Sequence, residues 1–496
     1  MRSTSPQAVL AISLALATLG NWLLRATPWG INAALWGGTL ALATAAMTAR
    51  DHRSHRPPDR LALADLLLGT ACLTVFALRD AEALLVWCTL AFLAALALQC
   101  AATLGFHLAT LRLSEAAITG IELGLRLLWQ PILLVLRDLP HNLNSRKTNR
   151  PRRWPAIVGG LFLAVPIVLI FGALLRSADP LFARLTDRFL VWDLSTLASH
   201  VVVIAALTWL ASGYLYGLLQ RERVLPLPAA VALVRLGVVQ VAIPLGALAL
   251  LLTSFAGLQA RYLFGGREIV LETAGLTLAE YARRGFFELV AVSALVLVVL
   301  WLAHSFLDRS IEARKLRSVG ILSAVLLLMV GAAIASAIVR LRLYMENFGL
   351  TEARVHATAF MVWLAAATGW FAATVLRKRP ERFLSGCVTS AFVILLGLAL
   401  ANPQDLVART NLGRATHGKE LDAAYLGSLD ADAVPAIAAH WHALDSDDKC
   451  SLWKRLLQKW TAPEADWRRW NLARNRAVRA VAALQPPACP SSGAPE

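Results

Sequence analysis

The sequence is built from long apolar blocks of about 18 to 25 residues, separated by short polar stretches. This is the length that an α-helix needs to cross a hydrocarbon layer about 30 Å thick. Hydrophobic residues make up 57% of the 496 residues, and charged residues only 16%. A transmembrane β-barrel would instead show shorter segments of alternating polar and apolar residues. The pattern therefore predicts an all-α fold, a polytopic transmembrane helical bundle.

The apolar blocks predict about eleven spans and a division of the chain into segments. Residues 1–105 are predicted to hold the N-terminal transmembrane helices, and residues 156–401 a core transmembrane region. Residues 106–155 between them combine an amphipathic stretch with a basic loop, which favours a helix in the cytoplasmic interface, while a further hairpin would also fit. The predicted spans are 8–24, 30–48, 61–78, 83–104, 156–175, 197–219, 229–258, 279–304, 318–339, 355–376 and 383–401.

The net charge of +16 comes from arginines and lysines that lie between the apolar blocks. They are not interleaved with exposed aromatic residues, so we expect the lipid bilayer as a partner and no nucleic acid. Basic clusters recur in every second loop, which places these loops and the N-terminus in the cytoplasm by the positive-inside bias. The clusters fall within residues 50–60, 137–153, 221–223, 309–317 and 377–382.

From Asn402 onward the composition becomes that of a soluble α-helical domain, covering residues 402–496, with prolines as helix boundaries and five tryptophans. An odd number of spans places this domain outside the cytoplasm. Cys450 and Cys489 would then lie in an oxidising compartment and could form a disulfide, while two unpaired thiols remain the alternative. The other four cysteines lie within spans without CxxC spacing, so we expect packing roles, no metal and no cofactor.

Glu288 lies inside an otherwise apolar run, where a charge is costly unless it faces protein or water. A capping box of Thr277 and Glu280 predicts that the helix begins at Thr277. Thr277, Tyr281, Arg284 and Glu288 then form one stripe on a single helical face, which stops partway down. This arrangement favours an outward-facing polar pocket. An Arg284–Glu288 pair that only reaches toward the interface is the alternative.

The tripeptide Gly-Leu-Thr that ends at Thr277 is repeated at Gly349 to Thr351, with Tyr344 before the repeat and Glu352 and Arg354 after it. Two similar helix starts would explain this repeat. The functional interpretation is a duplicated hairpin whose outer loops face each other and are rich in arginine. Such a cationic pocket predicts an anionic lipid or a small anion as ligand. The predicted pocket comprises Tyr262, Thr277, Glu280, Tyr281, Arg283, Arg284, Glu288, Arg340, Tyr344, Glu352 and Arg354.

Several motifs carry a family resemblance, among them "LLRSADPLFARL" from Leu174, "LTLAEYARRGFFEL" from Leu276, "LYMENFGLTEARV" from Leu343 and the long segment that begins "NPQDLVARTNLGRATHGKELDAAYLGSL" at Asn402. They resemble the bacterial membrane family catalogued as domain of unknown function 4173, and the neighbouring 4153 group is similar. The resemblance runs from about residue 154 to about residue 477, and the first four spans match only in being apolar. It implies a multi-pass bacterial inner-membrane protein and assigns no activity.

Three function classes remain open at this level. An envelope binding, scaffold or signalling protein would recognise an envelope partner or an anion through the outer loops and the tail, without catalysis, and we favour this class. A transporter of a small anionic or lipid-like substrate would need polar residues along several helices. A transferase acting on a lipid-linked substrate would need an acid at an outer loop, for which Asp80, Glu82, Asp179 and Glu280 are the candidates. No P-loop, HExxH or GxSxG motif is present.

Overall fold

A computed structural model describes residues 5–55, 60–104, 113–138, 194–220, 236–264, 286–307, 316–377, 382–462 and 465–489, together with Arg379 and a few isolated residues between 160 and 179. Within these residues the chain is helical, with one isolated β-bridge between Leu236 and Leu307 and no strand. Nine of the described helices are long and apolar enough to cross a membrane. These findings support the predicted helical membrane protein.

The first group of helices surrounds one apolar core. It comprises α1 (Pro6–Leu24), α2 (Ile31–His55), α3 (Arg60–Leu78), α4 (Glu82–Thr103), α5 (Leu113–Leu133) and α6 (Leu194–Leu219). Leu16, Leu66, Phe92 and Leu215, from four different helices, are buried together in this core. In a bilayer, apolar side chains face lipid as readily as they face another helix, so burial alone does not bring helices together. Close packing between helices therefore depends on small residues at their contacts. A Cβ atom on Gly213 of α6 would overlap the carbonyl oxygen of Leu127 in α5.

The second group surrounds a separate core. It comprises α7 (Val238–Phe264), α8 (Phe286–Phe306), α9 (Leu316–Phe348), α10 (Glu352–Thr374) and α11 (Phe383–Ala401). Leu245, Leu300, Leu326 and Phe371 are buried in it. Helix α11 also packs against α3 and α4, where Phe392 joins a small apolar cluster, so α11 connects the two groups.

Helix α5 buries its polar face. Glu122, Arg126 and Gln130 lie one turn apart and are buried, whereas Leu128 and Trp129 are exposed. Arg126 donates to Glu122 at 2.9 Å and to the backbone carbonyl of Gln220 at the end of α6, also at 2.9 Å. An interfacial helix would expose its polar face to water. The polar face of α5 instead packs against α6, and the cytoplasmic position of this segment stays a prediction.

The exact number of spans also stays a prediction. The predicted span 30–48 falls on α2, which is not among the nine apolar candidates. The predicted span 156–175 falls mostly outside the described residues, and so do the starts of the predicted spans 229–258 and 279–304. The other predicted spans lie on candidate helices.

The C-terminal cap, defined here as residues 403–489, consists of short helices. These are α12 (Pro403–Ala415), α13 (Ala423–Ser428), α14 (Val434–Ala439), α15 (Ser446–Lys459) and α16 (Leu472–Ala482), with short 3-10 turns between them. Val407, Leu426, Ile437 and Leu452 are buried in its apolar core, which also includes Val355 of α10. The cap is therefore packed onto the end of a membrane helix.

Hydrogen bonds to the cap define one end of the bundle, called here the cap end. The loop between α1 and α2, the loop between α3 and α4 and the loop between α9 and α10 all contact the cap. The end of α11 bonds to Arg79 in the loop between α3 and α4 and so lies at the same end. At the opposite end, Leu236 before α7 donates to the carbonyl of Phe306 at 2.9 Å. Among the described residues, helix ends thus lie at both ends of the bundle, as in a chain of consecutive membrane spans.

Candidate functional site at the cap junction

The predicted polar pocket is described only in part. Thr277, Glu280, Tyr281, Arg283 and Arg284 lie outside the described residues, and only the backbone of Tyr262 is described, within α7. Glu288 is exposed in the first turn of the described α8, and its predicted pairing with Arg284 is therefore not addressed. The remaining four residues are described: Arg340 and Tyr344 lie on α9, and Glu352 and Arg354 lie on α10.

Arg354 closes the end of α9. Its guanidinium lies 4.3 Å from the ring centre of Tyr344. It also donates to the backbone carbonyls of Phe348, at 3.2 Å, and of Gly349. The last carbonyls of a helix have no partner within the helix and carry partial negative charge, so a guanidinium there is stabilising. Arg354 therefore has a structural role that its sequence position alone does not reveal.

Arg414 of α12 binds the same helix end from the cap. It donates to the carbonyls of Met345 at 2.9 Å, of Asn347 at 3.0 Å, and of Glu346. Two cations thus lie around the C-terminus of α9, one from the membrane helices and one from the cap. An anion bound here would compete with these carbonyls, and the cationic pocket stays a prediction.

The turn between α9 and α10 is held by Asn411. Its side chain accepts from the backbone nitrogen of Leu350 at 2.8 Å and donates to the Leu350 carbonyl at 2.7 Å. Gly349 has φ +76°, and a Cβ atom there would lie 2.6 Å from the side-chain oxygen of Asn411. Glycine is therefore required for both the backbone conformation and the close approach.

Glu352 begins α10 and is joined to the cap by two residues, Tyr425 and Gln404. Its backbone nitrogen donates to the hydroxyl of Tyr425 at 2.9 Å, and burial raises the pKa of that hydroxyl. Its carboxylate Oε2 accepts from the amide of Gln404 at 3.2 Å, and the same amide donates to Asp430 at 3.1 Å. Gln404 is itself buried, so this polar contact is removed from water.

Arg474 and Asp80 form the second attachment of the cap. The Nε atom of Arg474 donates to Asp80 at 2.7 Å, and both side chains are largely buried. Arg474 also donates to the carbonyls of Pro28 and Trp29 in the loop between α1 and α2. Burial raises the pKa of Asp80 to about 6, against the lowering effect of Arg474. Asp80, a candidate acid for the transferase class, is thus engaged in an ion pair.

Arg79 and Asp432 connect the same loop to the cap. Arg79 lies 3.4 Å from Asp432 and donates to the carbonyl of Ala399 at 2.9 Å, at the end of α11. The backbone nitrogen of Asp80 donates to the other oxygen of Asp432 at 2.6 Å. Burial raises the pKa of Asp432, while the hydrogen bonds and Arg79 lower it. Both helix groups are thereby joined to the cap at one point.

Aromatic residues lie beside this junction. Trp22 and Trp467 have ring centres 5.7 Å apart, and Arg468 donates to the Trp22 carbonyl at 2.6 Å. A Cβ atom on Gly30 would overlap the carbonyl oxygens of Arg469 and Trp470, so the loop can approach the cap only with glycine here. Four tryptophans at this level have exposed side chains: Trp22, Trp29, Trp467 and Trp470.

Cys450 and Cys489 are joined by a disulfide, with their Cα atoms 5.6 Å apart. The bond fastens the last described residue of the chain to α15. Cys72, Cys88, Cys100 and Cys387 are buried free thiols. Among the described residues, no group of three or more His, Cys, Asp or Glu side chains is placed to hold a metal ion.

Sequence reasoning missed one buried acid inside the helices. Asp65 of α3 is almost fully buried and accepts from the hydroxyl of Thr389 in α11 at 3.1 Å. This contact joins the two helix groups within the spans. Asp65 could have been found from the sequence, because it is an acidic residue within the apolar run "RLALADLLLG". Ionisable residues within membrane spans mark functional or packing sites.

Comparison with known proteins identifies a family. The model of a family described as Domain of unknown function (DUF4153) matches residues 67–440, about three quarters of the chain. The matching model is that of the 4153 group, and the predicted resemblance to the 4173 family is not shown. It begins within α3, so the resemblance reaches further toward the N-terminus than the motifs indicated. A search of curated proteins and of solved structures finds no match.

Proposed function

The chain belongs to the DUF4153 family, and from this premise we propose that it is an envelope binding or scaffold protein of the bacterial inner membrane. In this proposal the cap and the loops beneath it form one binding face. The observation that carries the proposal is the joining of the cap to the loop between α3 and α4 through the ion pairs Arg474–Asp80 and Arg79–Asp432. Arg79 also donates to the carbonyl of Ala399 at the end of α11, in the second helix group. A tail that served only as a tether would not need buried ion pairs with the membrane loops.

We place the binding face outside the cytoplasm, with the N-terminus in the cytoplasm. Two observations support this orientation. The basic clusters predicted to be cytoplasmic flank the helix ends opposite the cap, as the positive-inside bias requires. The cap also holds a disulfide, and disulfides persist mainly in oxidising compartments.

The proposed ligand is an anionic lipid headgroup or a small anion. Exposed tryptophans favour the headgroup region of a membrane, where their rings are partly apolar and partly polar. The four exposed tryptophans beside the cap junction would place this face at that level. Arginines of the outer loops, Arg284 among them, would then supply the cationic contacts, and an envelope protein remains a further partner for the cap surface.

Native mass spectrometry of the purified protein tests the proposal. The parent chain is compared with an Arg284→Ala, Glu288→Ala double variant and with Arg409→Ala, which removes an exposed cation of α12. We expect a specific lipid or small anion to stay bound to the parent and to Arg409→Ala, and to leave the double variant. Equal, nonspecific lipid binding by all three proteins would contradict the pocket.

Transport of a small anionic or lipid-like substrate is a second candidate function. The buried contact between Asp65 and Thr389 favours it, because this contact joins the two helix groups inside the spans. A transporter predicts substrate flux in proteoliposomes that is lost in Asp65→Asn or Glu288→Gln. Unchanged flux in both variants would leave these two acids without a transport role.

A further inference from the structure

Three buried acceptor atoms lie where α10 meets the cap. They are Oε1 of Glu352, Nε2 of His356 and the side-chain oxygen of Asn402, and none has a hydrogen-bond partner among the described residues. Buried polar atoms in native proteins are nearly always paired with protein, water or a bound ion. A partner for any of these acceptors must donate a hydrogen bond or carry positive charge.

The His356 ring is held in one tautomer. Its Nδ1 atom lies 2.8 Å from the backbone carbonyl of Glu352. A carbonyl oxygen can only accept, so Nδ1 carries the proton and Nε2 of the neutral ring presents a lone pair. Histidines that bind metals usually donate their other ring nitrogen to a carbonyl or carboxylate in this way.

Glu352 and His356 are spaced for joint binding. They lie four residues apart on α10, so their side chains share one helical face. Helical metal sites use the same spacing. Oε2 of Glu352 is oriented by the amide of Gln404 at 3.2 Å, which leaves Oε1 for a ligand. Ligating carboxylates are themselves commonly hydrogen-bonded in this manner.

Asn402 adds an oxygen from the connection between α11 and α12. It has φ +55° and lies two residues before Gln404, the residue that contacts Glu352. The local charge also favours a cation. Glu352 and Asp430 share the single amide of Gln404, and Glu352 takes part in none of the ion pairs of the described residues.

We propose that Glu352, His356 and Asn402 bind a divalent transition cation of the Zn²⁺ class. One imidazole nitrogen, one carboxylate oxygen and one amide oxygen are suitable donors for such an ion, with solvent completing the coordination. No metal site is expected from the sequence, because only two of the three donor residues are His or Glu and the third lies 46 positions after His356 in the chain. The site does not depend on the proposed function, and an ion there would fasten the cap to α10.

The experiment uses the full-length protein, stripped with a chelator and then dialysed against Zn²⁺ or Co²⁺. Bound metal is counted by elemental mass spectrometry, and the Co²⁺ absorption spectrum reports nitrogen coordination. His356→Ala and Glu352→Gln test the site. His417→Ala is the matched control, because exposed His417 makes the same bond to a carbonyl one turn back, at 2.7 Å.

We expect one more Zn²⁺ in the parent and in His417→Ala than in His356→Ala, and at least tenfold weaker binding in Glu352→Gln. Gln404→Ala, which removes the orienting amide, should weaken binding about 10- to 100-fold. Added Zn²⁺ should raise the Tm of the parent but not of His356→Ala. Equal metal content in the parent, Glu352→Gln and His356→Ala, or no metal bound by the parent, would overturn the proposal. If His356→Ala does not fold, the comparison of Glu352→Gln with the parent decides it.

Discussion

Arg474 of the cap and Asp80 of the loop between α3 and α4 are 394 positions apart in the chain, yet their side chains meet at 2.7 Å. Arg474 also reaches the carbonyl of Trp29 at 2.8 Å. One cap residue thus binds two separate membrane loops. The Arg474–Asp80 pair is the strongest indication that the cap and the helices form a single structure.

Removing Arg474 should release the cap from the helices. Breaking a buried ion pair from one side costs about 3–5 kcal/mol, because the remaining charge stays buried without its partner. We expect Arg474→Ala to increase hydrogen exchange and proteolysis of residues 465–489. Arg409→Ala, which breaks an exposed pair worth about 0–1 kcal/mol, is the control. Equal protection of the cap in both variants would argue against the docking role.

Asp80 should make stability depend on pH. Its pKa is about 6 in the folded protein and 3.8 as an ordinary value, so the folded state holds the proton more tightly. The resulting contribution of Asp80 to the free energy of unfolding is present in full below about pH 4 and is lost as the pH rises through about 6. We expect the Tm of the parent to fall more between pH 5 and pH 7 than the Tm of Asp80→Asn. Parallel pH profiles would contradict the raised pKa.

Gly30 should tolerate no side chain. A Cβ atom there would overlap two carbonyl oxygens of the cap, so Gly30→Ala must displace either the loop or the cap. Forced displacement in a packed region typically costs about 1–3 kcal/mol. Gly38→Ala is the control, since nothing lies within 4 Å of a Cβ atom there. Thermal unfolding should show a lower Tm for Gly30→Ala alone, and similar values for both variants would speak against the close contact.

The disulfide should stabilise the cap. It closes a loop with a sequence separation of 39 residues, for which the chain-entropy account gives about 3–4 kcal/mol. We expect reduction, or Cys450→Ser with Cys489→Ser, to lower the Tm of the cap. Thiol labelling of the native protein should modify two further cysteines only after reduction. Labelling of both residues without a reductant would show that they are free.

Sequence reasoning works well for the membrane helices because span length and apolarity are local properties of the chain. The composition change at Asn402 falls between the end of α11 at Ala401 and the start of α12 at Pro403, although the division into domains itself stays a prediction. The repeat Gly-Leu-Thr at Gly349 marks a real turn with a left-handed glycine. Its interpretation as part of an anion pocket stays a prediction.

The contacts of the candidate site could not be predicted from one sequence. Arg79, Asp80, Asp432 and Arg474 are ordinary charged residues in polar segments, and their pairing depends on how distant helices fold together. For the same reason Arg354 is predicted to belong to an anion pocket, whereas in the structure it binds the end of α9, as does Arg414 of the cap. Glu122 and Arg126 lie in the segment predicted as an interfacial helix or a further hairpin, and their burial against α6 could not be read from the sequence.

We propose that the cap and the loops it contacts form one extracytoplasmic face. A membrane-impermeant maleimide applied to intact spheroplasts tests it most directly. Two single substitutions are compared, Lys454→Cys on exposed α15 of the cap and Arg60→Cys at the opposite end of the bundle. We predict labelling at position 454 in intact spheroplasts and at position 60 only after permeabilisation. Labelling at position 60 in intact spheroplasts, with position 454 protected until permeabilisation, would contradict the claim.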